Sequence, residues 1–311
     1  AAVAAVAAVA AVAAVAAVRR RPEVSMISTG PTEVALMIVI FLIGASIGSF
    51  LNVVIFRLPR GESLVHPRSR CLSCGSDLGV VDLVPVLTYI GLRGRCRHCG
   101  RPYSPRYMLV EAFTGVAATA ALYVFGPTID APLAFLVVCC LVVIFFIDLD
   151  HYIIPDETVA IIAGIGILIE LLGALQGARG GLVVFDERLS SSLSYTVVLP
   201  RSLVGIAMGA GLFMVIAYVA EKVFRRPGMG WGDVKLAGAM GALLGPGYQF
   251  LTYFMLAVVV GALVGVISMA AGAVGRRDYI PFGPMMAAAG VAMVYFGDII
   301  TPVVMSRFLV L

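Results

Sequence analysis

Apolar stretches of the length needed to cross a ~30 Å hydrocarbon layer recur along this chain, and each such run reads as a membrane-spanning helix. They lie near Val34 to Phe56, Tyr107 to Phe125, Ala131 to Ile147, Val159 to Leu175, Leu203 to Phe224, Val234 to Leu244, Tyr248 to Val274 and Pro281 to Phe296. The pattern predicts an all-α polytopic membrane protein of about eight transmembrane helices, the sixth of them short. Composition agrees: the 311 residues are 61% hydrophobic and only 13% charged, with a mean hydropathy of +1.03. A soluble domain of this size could not wet such a surface. Glycine within the runs suits close helix packing in lipid.

Residues Ala1 to Val18 repeat Ala-Ala-Val. The tract lacks the basic region, apolar core and cleavage site of an exported leader. Its Val stripe would spiral round a helix and present no fixed face. We read it as engineered or unassigned, with native sequence starting at Arg19 or Met26. The expected organisation is an N-terminal segment 1–25, a first transmembrane helix 26–56, a small cytosolic domain 57–106 and a transmembrane region 107–311.

Basic residues set the orientation, because loops rich in Arg and Lys stay cytoplasmic. The loop after the first span carries Arg57, Arg60, Arg68, Arg70, Arg93, Arg95, Arg97, Arg101 and Arg106; that after the fifth carries Lys222, Arg225 and Arg226, with Lys235 beyond; that after the seventh carries Arg276 and Arg277. Gly126 to Asp130 and the connection between the sixth and seventh spans have none. Arg179, Arg188 and Arg201 are spread along an extracytoplasmic segment, and Arg19 to Arg21 oppose this topology mildly. The prediction is a multi-pass protein of the cytoplasmic membrane. The net charge of +4 then reflects orientation in lipid, and nucleic acid is not an expected partner.

The first cytoplasmic loop holds Cys71-Leu-Ser-Cys74-Gly and Cys96-Arg-His-Cys99-Gly, two C-x-x-C knuckles spaced slightly beyond the usual zinc window. Four thiolates at ~2.3 Å complete a tetrahedral zinc and leave no open position, so the ion would be structural. Disulfides or redox pairs are the alternative, disfavoured in a reducing cytoplasm. Zinc would replace the core that this segment of about fifty residues is too small to build. His98 reads as a surface residue, and Cys139 and Cys140 as small buried apolar groups. The basic face of this domain is either solvated, set against anionic headgroups, or open to an anionic partner.

Two carboxylates stand out. Asp148 ends the run Leu-Val-Val-Ile-Phe-Phe-Ile, and Asp233 closes Gly228-Met-Gly230-Trp-Gly232-Asp233. An ionisable group at bilayer depth costs ~2.5–3.5 kcal/mol on insertion scales and marks a functional site by default. Asp150 reads as a solvated acid, Asp156 as the N-cap of the fourth span, and His151 as either an orienting group or an inert interfacial one. Gly230 and Gly232 are weak evidence alone; Asp233 could simply cap a helix. A dinucleotide fingerprint fails for want of a strand. Beside a second acid at the same membrane face, these glycines suit close approach of an extended backbone. Lys235 either snorkels to headgroup level or tunes Asp233. At ~4 Å and an effective dielectric of ~20, ionising both acids would cost about 4 kcal/mol, so one proton would be shared. The charged partner could then take a proton from water while the neutral one polarises a scissile carbonyl. A transporter or channel that moves cations or protons on buried acids is the non-enzymatic alternative; a zinc-domain adaptor with dispensable acids is the third.

These residues resemble the type IV prepilin peptidases, membrane aspartic proteases of the GxGD kind. The resemblance covers nearly everything after Met26: Gly48-Ser-Phe-Leu-Asn52 through Arg57-Leu-Pro59, the C-x-x-C pairs, Leu92-Arg-Gly-Arg-Cys96, Arg106-Tyr107 through Glu111, Asp148 through Asp156, Gly230 through Leu236, and Ile280-Pro281-Phe282-Gly283-Pro284. Met108 departs from it, since many members have proline there. The resemblance implies catalysis by Asp148 and Asp233. The substrates it implies are prepilin or pseudopilin precursors, cleaved after a glycine at the cytoplasmic face of a bacterial inner membrane. It further implies methylation of the new N-terminus with S-adenosylmethionine, for which no binding residues are legible.

Overall fold

The computed structural model describes residues 30–175, 182–190, 193–225, 229–272 and 280–308. The Ala-Ala-Val tract, Arg19 to Arg21, Arg179, Arg226, Gly228, Arg276 and Arg277 lie outside the described residues. In chain order the helices are α1 (Pro31–Arg57), α2 (Leu87–Gly91), α3 (Arg106–Phe125), α4 (Asp130–His151), α5 (Asp156–Leu175), α6 (Arg201–Phe224), α7 (Trp231–Leu244), α8 (Tyr248–Ala270) and α9 (Gly283–Phe308). Among the described residues seven helices are long and apolar enough to cross a membrane. The exception among the expected spans is α7, whose 14 residues rise only about 21 Å at 1.5 Å per residue. The chain divides into two compact units, one ending at Ile147 and the other running from Asp148 to Leu311.

In the first unit, α1 packs on α3 through small residues, as helices do where lipid supplies no hydrophobic drive. A Cβ on Gly44 would stand 2.6 Å from Ala118 Cβ and 2.7 Å from the Thr114 carbonyl. Buried Asn52 donates to the Tyr107 carbonyl at 3.1 Å, tying the two helices at one end. The cysteine-bearing segment lies between them in sequence. Glu111 Oε2, on α3, accepts the Val86 N–H at 2.8 Å and anchors the start of α2.

In the second unit, α7 is the core. Asp233, Val234, Leu236 through Ala242 and Leu244 are all buried, because α5 and α6 cover it through backbone-deep contacts. Gly205 of α6 meets the Gly241 carbonyl so closely that any Cβ would overlap it, and a Cβ on Gly166 of α5 would stand 2.7 Å from the Ala242 carbonyl. Between α5 and α6 runs an antiparallel hairpin, β1 (Leu182–Ser190) and β2 (Leu193–Pro200), pairing Leu182 with Pro200 and shifting register between Arg188 and Ser190. It adds a β element to an expectation of helices alone. Its base is closed by Glu170 of α5, whose two carboxylate oxygens accept the Arg201 and Ser202 N–H groups at 2.7 and 2.8 Å. Those amides open α6 and have no partner within the helix. Arg201 in turn donates to the Leu244 carbonyl at 2.7 Å and closes the end of α7. Glu170→Ala is expected to destabilise the protein by about 1–2 kcal/mol through loss of this charged cap; an unchanged unfolding midpoint in detergent would contradict that role.

Candidate functional site

The turn from α4 into α5 builds the acid site. Asp148 lies in the last turn of α4, and the Tyr152 N–H bonds back to its carbonyl at 3.0 Å. Tyr152 adopts φ 59°, the left-handed geometry that ends helices. Ile153, Ile154 and Pro155 follow, and Ile154 is buried. The Ile154 side chain is held against two glycines. A Cβ on Gly232 would stand 2.9 Å from Ile154 Cβ; one on Gly283 would stand 2.5 Å from Asp148 Oδ2 and 3.2 Å from Ile154 Cδ1. Only a residue without a side chain lets α9 begin that close to the carboxyl. Gly283→Ala is therefore expected to cost about 1–3 kcal/mol by overpacking, read as a lowered unfolding midpoint in detergent; an unaltered midpoint would show the cradle to be loose.

Asp233 enters from the first turn of α7. Its Oδ2 accepts the Gly230 N–H at 3.2 Å while its own N–H donates to the Gly230 carbonyl at 3.1 Å, half of a capping box. Asp148 is 6% and Asp233 5% exposed, so both acids are withdrawn from water. Asp148 Oδ2 is buried without a hydrogen-bond partner among the described residues. The structure thus brings together two acids far apart in sequence, with Gly230 and Gly232 beside them.

Lys235 turns away from this site. Its Nζ donates to both oxygens of Asp156, at 2.7 and 3.0 Å. This exposed pair joins the starts of α5 and α7. Asp156 is accordingly the first residue of α5 with its carboxylate on Lys235, and its expected role as N-cap is not what it performs. Asp150 is exposed on the last turn of α4. Val258, Gly261 and Ala262 of α8 and Ile280, Pro281, Phe282 and Met285, the last two flanking the Gly283–Pro284 start of α9, line an apolar hollow of about 320 Å³. Ile154 and Gly283 were not singled out as site residues by their sequence, since a lone aliphatic residue and a Gly-Pro pair carry no chemistry of their own.

The four cysteines form a second site in the first unit. Their sulfurs all lie within 4.8 Å of one another, and Cys71 and Cys99 Sγ are 4.0 Å apart. Tetrahedral zinc with ~2.3 Å bonds needs sulfurs about 3.8 Å apart, so the donor set fits a metal ion. The two knuckles repeat one pattern: Gly75 and Gly100 N–H donate to Cys71 and Cys96 carbonyls, and Cys71 and Cys96 N–H to the carbonyls of Ser76 and Arg101, each at 2.9 Å. Gly75 and Gly100 take φ of 74° and 69°. The Ser76 hydroxyl and amide hold the Cys74 thiol down at about 6. The Cys99 and His98 amides lower Cys96. Cys99 accepts from the Arg101 amide, yet desolvation and the neighbouring sulfurs push it up to about 11. Crowded thiolates of this kind are what a bound dication relieves. Arg97 Nε pairs with Asp82 at 2.9 Å, fastening the second knuckle to the turn before α2, and His98 is exposed.

A multi-pass helical membrane protein with two buried acids beside close-packed glycines and a four-cysteine cluster defines a narrow class. Residues 42–125 match the Bacterial Peptidase A24 N-terminal domain, and residues 135–266 match the Type IV leader peptidase family. A protein of Myxococcus xanthus named prepilin leader peptidase/N-methyltransferase is 39% identical over 241 residues, 76% of this chain and 65% of its own length, so the match spans just under two thirds of that relative. Proteins of the same name from Burkholderia pseudomallei (32% identical, 86% of this chain and 87% of the relative) and Aeromonas hydrophila (33%, 87% and 94%) match more completely. No solved structure matches the chain. The chain belongs to the type IV leader peptidase family.

Proposed function

We propose that this protein removes the basic leader from prepilin or pseudopilin precursors after a glycine, with Asp148 and Asp233 as its catalytic acids. The observation that carries the reading is the burial of both acids in one site within a chain of this family. One acid, ionised, takes a proton from water as its oxygen attacks the scissile carbonyl carbon. The other donates its proton to the carbonyl oxygen, giving a neutral gem-diol. Collapse breaks the C–N bond, the leaving amine takes up a proton, and the new carboxyl group is released. Gly230 holds Asp233 by its amide, Gly232 and Gly283 admit Ile154 and the acids to one place, and Lys235 steadies the site indirectly through Asp156. Apolar residues of the precursor beside the cleaved bond would lodge in the hollow by Phe282.

Arginines crowd the connection between α1 and α3, which supports a cytoplasmic setting for that segment and, with it, for both acids. The four cysteines would hold zinc, which when bound cross-links a segment that lacks a core of its own. Methylation of the product's N-terminus from S-adenosylmethionine is supported by the names of the relatives; no residues are assigned to the donor, and leader removal does not require it. The test incubates purified protein in detergent with a precursor bearing its leader and follows the product mass. Loss of the leader at a glycine, with a further methyl mass when the donor is added, is expected. An intact precursor would overturn the reading, and a cleaved but unmethylated product would leave the peptidase alone.

A further inference from the structure

Gly205 and Gly166 lie against the backbone of α7, where any side chain would collide with it. Gly261 of α8 is used differently. The three atoms nearest to a Cβ built there all belong to side chains: Phe282 Cε2 at 3.2 Å, Phe282 Cδ2 at 3.5 Å and Met285 Cγ at 3.6 Å. One turn on, a Cβ on Gly265 would meet only Ile280 Cδ1, at 3.9 Å. Alanine would suit a helix interior better than glycine, and no backbone of a neighbouring helix approaches Gly261 closely enough to exclude it. What the missing side chain leaves is space, the apolar hollow of about 320 Å³ between α8 and the segment from Ile280 to Met285.

The hollow is joined to the acid site through one residue. Phe282 lines it, and at the next position a Cβ on Gly283 would stand 2.5 Å from Asp148 Oδ2. Phe282 is braced by Phe213, which is fully buried, with ring centroids 6.4 Å apart. Val258 is 43% exposed and Ala262 is exposed too, so the hollow is open at the surface of α8, a helix that spans the membrane. Every lining residue is apolar, and a charged side chain placed there would lose its water without replacement. A single turn of helix, ~10 Å across, needs roughly 400 Å³. The hollow therefore takes side chains and not a helix.

Resting on the peptidase reading above, we propose that Gly261 is a specificity-determining residue, which sets the depth of a subsite for one large apolar side chain following the cleaved bond. The glycine before the bond has no side chain to place there, and a basic leader has the wrong chemistry for an apolar lining. The side chain that fills the hollow therefore comes from the product side, where the precursor's apolar segment begins. Entry past Val258 and Ala262 lets that segment stay in lipid. Seating the side chain beside Phe282 fixes the scissile bond near Asp148, and binding remote from the bond is thereby turned into positioning.

The test compares two precursors in one detergent, one with large apolar residues directly after its glycine and one with alanines in their place. The quantity read is the ratio of their kcat/KM values, which a merely structural role of Gly261 would not move. Gly261→Leu fills the hollow and is expected to lower the ratio of bulky to alanine precursor about 10- to 100-fold, the scale on which apolar pockets discriminate. Gly261→Ala should lower it less, with a melting temperature equal to or above that of the parent. An unchanged ratio would overturn the proposal, whether both precursors slow together, as for a packing defect, or neither does, as for a hollow that holds only a lipid chain. Should Gly261→Leu fail to accumulate, Gly261→Ala decides, since a ratio at the parental value would again overturn it. A parent that leaves both precursors intact defeats the peptidase reading itself, whereas an active parent with an unmoved ratio in the variants defeats the Gly261 assignment alone.

Discussion

Replacing either acid by its amide, Asp148→Asn or Asp233→Asn, is expected to lower leader removal by on the order of 10³-fold or more, the scale of losing positioned acid–base catalysis. Asparagine keeps the shape of aspartate, so the packing beside Gly283 would be preserved in Asp148→Asn; the amide can neither release nor accept the transferred proton. The effect should fall on kcat, because neither acid is called on to bind the precursor's apolar segment. Both variants should accumulate in the membrane like the parent, since removing an ionisable group from a buried position is not itself destabilising. Cleavage kinetics with precursor in excess, followed by mass, check this. Retention of cleavage within tenfold of the parent by either variant would remove that acid from the mechanism.

The second large effect belongs to the cysteine cluster. Cys71→Ser, or stripping with a strong chelator, is expected to release bound zinc and leave the knuckle segment open to limited proteolysis while the spans stay intact. Structural zinc contributes apparent binding free energies on the order of 10 kcal/mol. The ion pair in that segment, between Arg97 and Asp82, has its guanidinium half exposed and offers roughly 0–1 kcal/mol. A metal bound at these cysteines would therefore decide whether the segment folds. Metal analysis of freshly purified, reduced protein gives the measure: one zinc per chain, lost in Cys71→Ser, is expected. Metal-free protein with a protease-resistant segment would contradict it.

How much of this was legible beforehand follows from what each signal reports. The long apolar runs of α1, α3 to α6, α8 and α9 announce themselves because hydropathy measures a segment's own preference for lipid. The C-x-x-C pairs are equally plain, since the short spacing within each pair is the local geometry of a knuckle. Contacts between distant segments carry no such local mark. Nothing in Lys235 foretells Asp156 as its partner, because either a snorkelling or a site-tuning lysine has the same sequence. Gly283 and Ile154 owe their roles to where α9 and the α4–α5 turn meet. The hairpin was foreshadowed by Leu182-Val-Val-Phe and Tyr195-Thr-Val-Val-Leu, β-branched and aromatic runs that a reading in terms of spans and loops passes over. The closeness of Asp148 and Asp233 is the clearest case. Loop charge could place them at one membrane face, but only the packing of α5 and α6 around α7 carries Asp233 into the interior beside Asp148.

That the two acids act as one unit is tested most directly by single-turnover leader removal in Asp148→Asn, Asp233→Asn and the double variant. Groups that share one proton in one step lose nearly everything when either is changed, so the three rates should coincide at the same residual level. A double variant slower than both singles by the product of their separate losses, or a single variant cleaving at the parental rate, would show that Asp148 and Asp233 do not work as a pair.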